Sequence, residues 1–182
     1  MASAFAHIGS AVVIGAVFSH QALPRRFWSL GALCSVLPDL DVIGFLWGIP
    51  YAHVMGHRGF THSLAFAALW SGLLVTMLRY AYEERGAGLT LFLYFFLCTV
   101  SHGVLDAMTD AGLGVAFFAP WDNERYFLPW RPLKVPPIGI HAFFSRCGLV
   151  VIGSELLWVG VPLVLIAVVG VTLHRKRNSR RG

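Results

Sequence analysis

The chain reads as an all-α protein, a polytopic transmembrane helical bundle of about four to five spans with an interfacial cap segment. Three observations point there. Only 13% of the 182 residues are charged and 57% are hydrophobic, where a soluble domain averages about 25% charged. That is too little charge to coat a water-facing surface. The apolar residues fall into runs, and a helix of about 17–25 residues crosses a bilayer. Arg175, Lys176, Arg177, Arg180 and Arg181 follow directly on the last run, where a membrane protein keeps its cytoplasmic charge.

Five runs are candidate spans: Ala2–Ser19, Phe27–Trp47, His62–Leu78, Leu89–Leu105 and Cys147–Leu173. The second is interrupted by Pro38, Asp39 and Asp41, and the fifth carries Glu155. The length suits one domain. Residues 1–174 are expected to form a single membrane-embedded unit, with a cap over 110–146 and a basic cytoplasmic tail over 175–182. Five prolines and no regular apolar period mark the cap, and Phe117, Phe118, Trp121, Tyr126, Phe127 and Trp130 suit the headgroup zone. The three cysteines, Cys34, Cys98 and Cys147, form no metal or disulfide motif and read as small core residues. The start lacks a basic region, so no cleaved signal peptide is expected.

The net charge of +5 is assigned to membrane orientation, not to nucleic acid. With the C-terminus inside and five crossings, the tail, Arg79 with Arg85, and Arg25 with Arg26 all fall inside. That is nine of the fourteen basic residues. The same count puts His7, Asp39, Asp41, His57, His62, His102 and Asp106 near the outer face, although none of them entered the orientation argument.

Ionisable side chains within a span are costly and mark function by default. Ser101–Asp106 places His102 and Asp106 four apart on one helix face, with Thr99, Thr109 and Asp110 extending a polar stripe. An imidazole and a carboxylate so placed can bind one divalent ion; the plainer alternative is a His–Asp hydrogen bond between helices. In His57–Ser63, Gly59 permits a tight bend that leaves His57 in a loop and His62 at a helix start. Thr61 is a candidate cap there, and Arg58 offers a planar fork for phosphate or carboxylate. In Pro38–Asp41 the proline opens the backbone ladder, so that both carboxylates can turn to one site. Unpaired carboxylates in lipid would be very unfavourable. The alternatives to a metal are a protonated or a salt-bridged pair. His53 is a reserve ligand, and Glu155 is either behind the site or paired with an arginine. Arg125 and Arg131 beside aromatics could engage an anionic headgroup.

Together His7, Asp39, Asp41, His57, His62, His102 and Asp106 form a candidate metal set. Mixed nitrogen and oxygen ligands suit zinc, manganese or iron. Seven candidates exceed the need of one tetrahedral ion, so one or two ions fit. A pair about 3.5–4 Å apart is usual for phosphate-ester hydrolysis. Asp41, Asp106, Arg58 and Arg125 are the candidate catalytic residues, the carboxylates taking a proton and the arginines stabilising phosphate charge.

In order, an early histidine, PDLD (38–41), HRGFTHS (57–63), SHGVLDAMTDAG (101–112) and RYFLPWRP (125–132) resemble the YdjM-type bacterial inner-membrane proteins, LexA-regulated metal-dependent hydrolases. The resemblance covers roughly residues 7–132. It implies residence in the bacterial inner membrane, a metal and hydrolase chemistry. His7, Asp39, His57, His62, His102 and Asp106 are also similar in type and order to zinc-dependent phospholipase C, which suggests a phosphoester substrate. The expectation is a membrane-bound hydrolase of a lipid or lipid-linked phosphoester, with zinc carried forward ahead of manganese or iron. A transporter of metal ions or protons is the rival, and a scaffold with a structural metal a third reading. A transporter predicts polar stripes reaching both faces, whereas the inward halves of the last three spans are almost purely apolar.

Overall fold

The computed structural model describes residues 2–18, 25–82, 88–135 and 146–179, and it is all-helical, with no strand among them. Helices α1 (Ala4–Phe18) and α2 (Arg25–Val36) come first, and α2 runs on into an eleven-residue 3-10 helix, Leu37–Trp47. A short 3-10 turn, Phe60–His62, precedes α3 (Leu64–Tyr82) and α4 (Gly88–Ala107). The last helical stretch is α5 (Arg146–Glu155), a π turn over Leu156–Gly160, and α6 (Val161–Ser179). Between α4 and α5, the described part of the cap is irregular. It is tied by isolated bridges pairing Thr109 with Leu133 and Val115 with Tyr126. Residues 136–145 of the cap, Arg85 and residues 180–182 of the tail lie outside the described residues.

Three segments are long and apolar enough to cross a membrane: Phe27–Trp47, Gly88–Ala107 and Gly148–Gly170. Ala4–Phe18 and Leu64–Tyr80 are apolar but shorter, so the first and third expected runs fall below a comfortable crossing length. The outward surface is what lipid requires. Leu69, Leu73, Met77, Leu149, Val164 and Leu165 are all exposed.

Helix α4 is the centre of the bundle and packs against α1, α2 and α3. Its inner face carries Leu91, Tyr94, Phe95, Cys98, His102 and Asp106, all buried, at the spacing of three and four that keeps one helix face inward. Tyr94 reaches across to α2 and donates to the Phe27 carbonyl (3.3 Å). Gly31 leaves room for it: a Cβ there would stand 2.0 Å from the phenol oxygen. With Phe27, Val75, Leu78, Leu91 and Phe95, Tyr94 closes one end of the bundle. The polar residues collect at the other end.

Two prolines shape the backbone. Pro38 has no N–H to give to the carbonyl four residues back, and the helix tightens there from α to 3-10. Pro162 withdraws the same donor from the Trp158 carbonyl, and the π turn lies just before it.

Candidate metal centre

The polar end is built from four elements. Helix α1 brings His7, the 3-10 helix after α2 brings Asp39 and Asp41, the loop before α3 brings His57, Arg58 and His62, and α4 brings His102 and Asp106. The loop reaches its position through Gly59, where a Cβ would stand 2.1 Å from the Val54 carbonyl. Phe60 N–H donates to that same carbonyl (2.7 Å). Arg58 has φ 62°, a left-handed conformation that costs a non-glycine residue of order 1–3 kcal/mol and is common at functional sites. The cap on α3 is Ser63, whose hydroxyl accepts from Phe66 N–H (3.0 Å), not Thr61. Thr61 turns inward and donates to Asp41 Oδ2 (2.7 Å).

Four side chains, Asp39, His62, His102 and Asp106, could hold a metal ion. His102 Nδ1 donates to the Ser35 carbonyl (2.7 Å). A carbonyl only accepts, so Nδ1 carries a proton and Nε2 is the ring atom turned inward. His62 Nδ1 lies 3.2 Å from Asp41 Oδ2, which likewise leaves Nε2 facing in. The two Nε2 atoms are 3.0 Å apart. Asp39 Oδ1 stands 3.2 Å from His102 Nε2 and 3.7 Å from His62 Nε2. Asp106 Oδ2 stands 3.6 Å from His62 Nε2 and 4.0 Å from His102 Nε2. Both oxygens are buried; Asp39 Oδ1 has no hydrogen-bond partner, and Asp106 Oδ2 is ion-paired with Arg58 Nε at 3.0 Å. Four polar atoms converge away from water, and the Arg58 guanidinium meets only Asp106 among them, so a further cation at their centre would relieve the remaining repulsion. Ligands at about 2.0–2.1 Å in a tetrahedron stand roughly 3.3–3.4 Å apart, and the separations here bracket that value. The residues fit a divalent ion with nitrogen and oxygen ligands.

His7 stands beside this group, its ring stacked on His102 at 3.8 Å between centroids and 17° between planes. Its Nε2 is 3.8 Å from Asp106 Oδ1, and neither ring nitrogen has a hydrogen-bond partner. Asp41 and His57 lie behind His62. Asp41 Oδ1 is 2.7 Å from His57 Nδ1, and Oδ2 accepts from Thr61 and from the Arg58 amide (3.2 Å). Asp41, His57 and His62 form a second group that could hold an ion. It shares His62 with the first group, one through Nδ1 and the other through Nε2.

The sequence reading offered the Arg58 fork to a phosphate or a carboxylate and set both Arg58 and Arg125 to stabilise phosphate charge; in the structure both guanidinium groups make contacts within the chain. Arg58, 1% exposed, stands 3.0 Å from Asp106 Oδ2 through Nε and donates to the Ala111 carbonyl and Thr109 Oγ1. Arg125 donates to the carbonyls of His57, Tyr51 and His53, and so clamps the loop. Burial pushes the Tyr51 hydroxyl up and the Arg125 guanidinium down from their ordinary values. His53 is exposed and accepts from Met55 N–H, away from the cluster. Asp110 also lies outside it. Burial raises its carboxyl, but the Lys134 ammonium at 2.8 Å and the Val135 amide outweigh that and lower it. Arg131 rests 4.6 Å over the Phe127 ring.

Residues 1–178 match the family described as YdjM inner membrane protein. The chain belongs to the YdjM family. A relative described as inner membrane protein YbcI, from Escherichia coli (strain K12), is 36% identical over 177 residues, covering 97% of this chain and 100% of the relative. No solved structure matches. Membership in the YdjM family and the apolar helices together make this an inner-membrane protein.

Two contributors escaped the sequence reading: the Ser35 carbonyl fixes His102, and Thr61 braces Asp41. Glu155, expected either behind the site or paired with an arginine, holds Ser3 with both oxygens. A backbone carbonyl leaves no mark in sequence. The Thr-His pair at 61–62 was a signal, read as a cap.

Proposed function

We propose that this YdjM-family protein is a membrane-bound metal-dependent hydrolase that cleaves a lipid or lipid-linked phosphoester with water. One divalent ion, zinc ahead of manganese or iron, is held by Asp39, His62, His102 and Asp106, with His7 beside it. The site lies near the outer, periplasmic face, and the C-terminus is cytoplasmic. The observation that carries the reading is the convergence of two buried carboxylate oxygens on two imidazole nitrogens, with the Arg58 guanidinium against only one of the four, Asp106 Oδ2. A divalent ion in such a place supplies Lewis acidity and lowers the pKa of water.

The chain's own groups divide the remaining work. Asp41 orients His62 from behind and raises its basicity, and His57 steadies Asp41. Because Asp41's oxygens are already engaged, a single ion is the simpler filling. Arg58 holds Asp106 and Arg125 holds the loop, so both act by placing ligands. Asp39 is the open member of the four, its side chain 17% exposed while the other three are at 0%. It sits on a segment whose Leu40, Ile43 and Leu46 are exposed and apolar. That supports entry of the substrate from the lipid side.

The transporter reading needs a path through the bundle. The end opposite the cluster is filled by Phe27, Val75, Leu78, Leu91, Tyr94 and Phe95, which supports an enzyme over a conduit. The test is demetallation. Protein in detergent, given vesicles of phospholipid, is expected to release phosphorylated headgroup, to stop after exhaustive chelation, and to recover on adding Zn2+. Turnover that survives complete removal of metal contradicts the mechanism. Metal uptake by proteoliposomes without any hydrolysis turns the reading to transport.

A further inference from the structure

Glu155 is a buried acid in the last span, 7% exposed, and such a group is costly in a membrane unless it is engaged. It faces no described cation. Both of its oxygens accept from Ser3: Oε1 from the backbone N–H and Oε2 from the hydroxyl. Ser3 is in turn the start of α1. Its Oγ accepts from Ala6 N–H (3.4 Å) and its carbonyl from the N–H groups of Ala6 (3.0 Å) and His7 (3.2 Å). One residue earlier, Ala2 N–H donates to Asp106 Oδ1 (2.8 Å). Two carboxylates therefore take the N–H groups of the two residues that lead into α1, at the end where the helix dipole favours negative charge.

This docking reaches the metal centre twice. His7 lies one turn beyond Ser3, so the seat of Ser3 sets where the His7 ring stands against His102. Ala2 occupies Asp106 Oδ1, so the other oxygen, Oδ2, is the one turned toward His62 and His102. A shift of residues 2 and 3 frees Asp106 to rotate and carries His7 away. The π turn begins immediately after Glu155, so the acid sits at a local break in the helix ladder.

We infer that Glu155 is a positioning residue for the metal centre, holding α1 through Ser3 so that the His7 ring stays stacked on His102 and Asp106 turns Oδ2 toward the ion. This rests on the metal-centre reading above and adds that the last helix governs it from outside the ligand set.

The test uses full-length protein in detergent loaded with Co2+, whose visible spectrum reports the ligand set, with affinity measured by chelator competition. Glu155→Ala is expected to weaken the affinity about tenfold or more, as losing an outer-shell partner does. Its Co2+ spectrum should move toward that of His7→Ala. Glu155→Gln, which can still accept from the Ser3 amide, should stay close to wild type. Ser3→Ala, which loses only the hydroxyl contacts, should shift both readouts in the same direction by less. A folded Glu155→Ala protein with wild-type affinity and spectrum overturns the inference. If that variant does not fold, an unchanged Ser3→Ala overturns it instead. A wild-type protein that takes up no Co2+ is a separate outcome, because it overturns the metal centre itself.

Discussion

Asp106→Asn is expected to strip the centre of its ion while the helices remain folded. Asp106 has two jobs on its two oxygens. Oδ1 accepts from the Ala2 amide, and Oδ2 faces Arg58 Nε, His62 and the proposed ion. Both positions demand an acceptor. Asparagine has one acceptor end and one donor end, so in either orientation an N–H group meets another donor or a cation. A negative charge is lost as well. The drop in metal affinity should therefore exceed the roughly 10–100-fold that an outer-shell change costs. Phosphoester turnover should fall with it, each tenfold corresponding to about 1.4 kcal/mol of barrier. Elemental analysis and turnover of the purified variant, with circular dichroism to show retained helix, check this. Normal metal content with full turnover would remove Asp106 from the site.

Arg58→Met should be the most damaging single change to stability. Arg58 is fully buried against Asp106, and removing one partner of such a pair costs about 3–5 kcal/mol because the other charge is left alone. Methionine would pay the same penalty as arginine for φ 62°, so the comparison isolates the charge. The size of the loss should depend on metal. Without it, Asp106 would have lost its buried guanidinium; with it, the ion still compensates the carboxylate. Denaturant unfolding with and without Zn2+ is thus expected to show a smaller loss in the loaded protein. An equal loss in both states would mean that Arg58 and the ion do not share Asp106.

Much of this was legible in sequence because membrane burial makes polar residues conspicuous. His102 and Asp106, four apart in an apolar run, share the inner face of α4. Pro38 marked the change of backbone that proved to be a tightening into the 3-10 helix, and the two carboxylates beyond it end on opposite sides of His62, Asp39 toward Nε2 and Asp41 toward Nδ1. Gly59 marked the bend that separates His57 from His62. What stayed hidden was direction. Sequence spacing does not say which oxygen or nitrogen points inward, so Asp41 looked equivalent to Asp39, and Arg58 looked free for a substrate. Only the positive φ at residue 58 and the fold of the cap around it turn the guanidinium onto Asp106, Thr109 and Ala111. Glu155 was equally opaque, since its partner is Ser3, at the far end of the chain, and Ser3 reads as unremarkable.

The most direct measurement is anomalous scattering at the zinc edge from crystals of the purified protein. One peak is expected, about 2.0–2.2 Å from Nε2 of His62 and of His102 and from an oxygen each of Asp39 and Asp106. A fully loaded protein, by elemental analysis, with no peak among those four side chains, or with the metal bound elsewhere, would contradict the account.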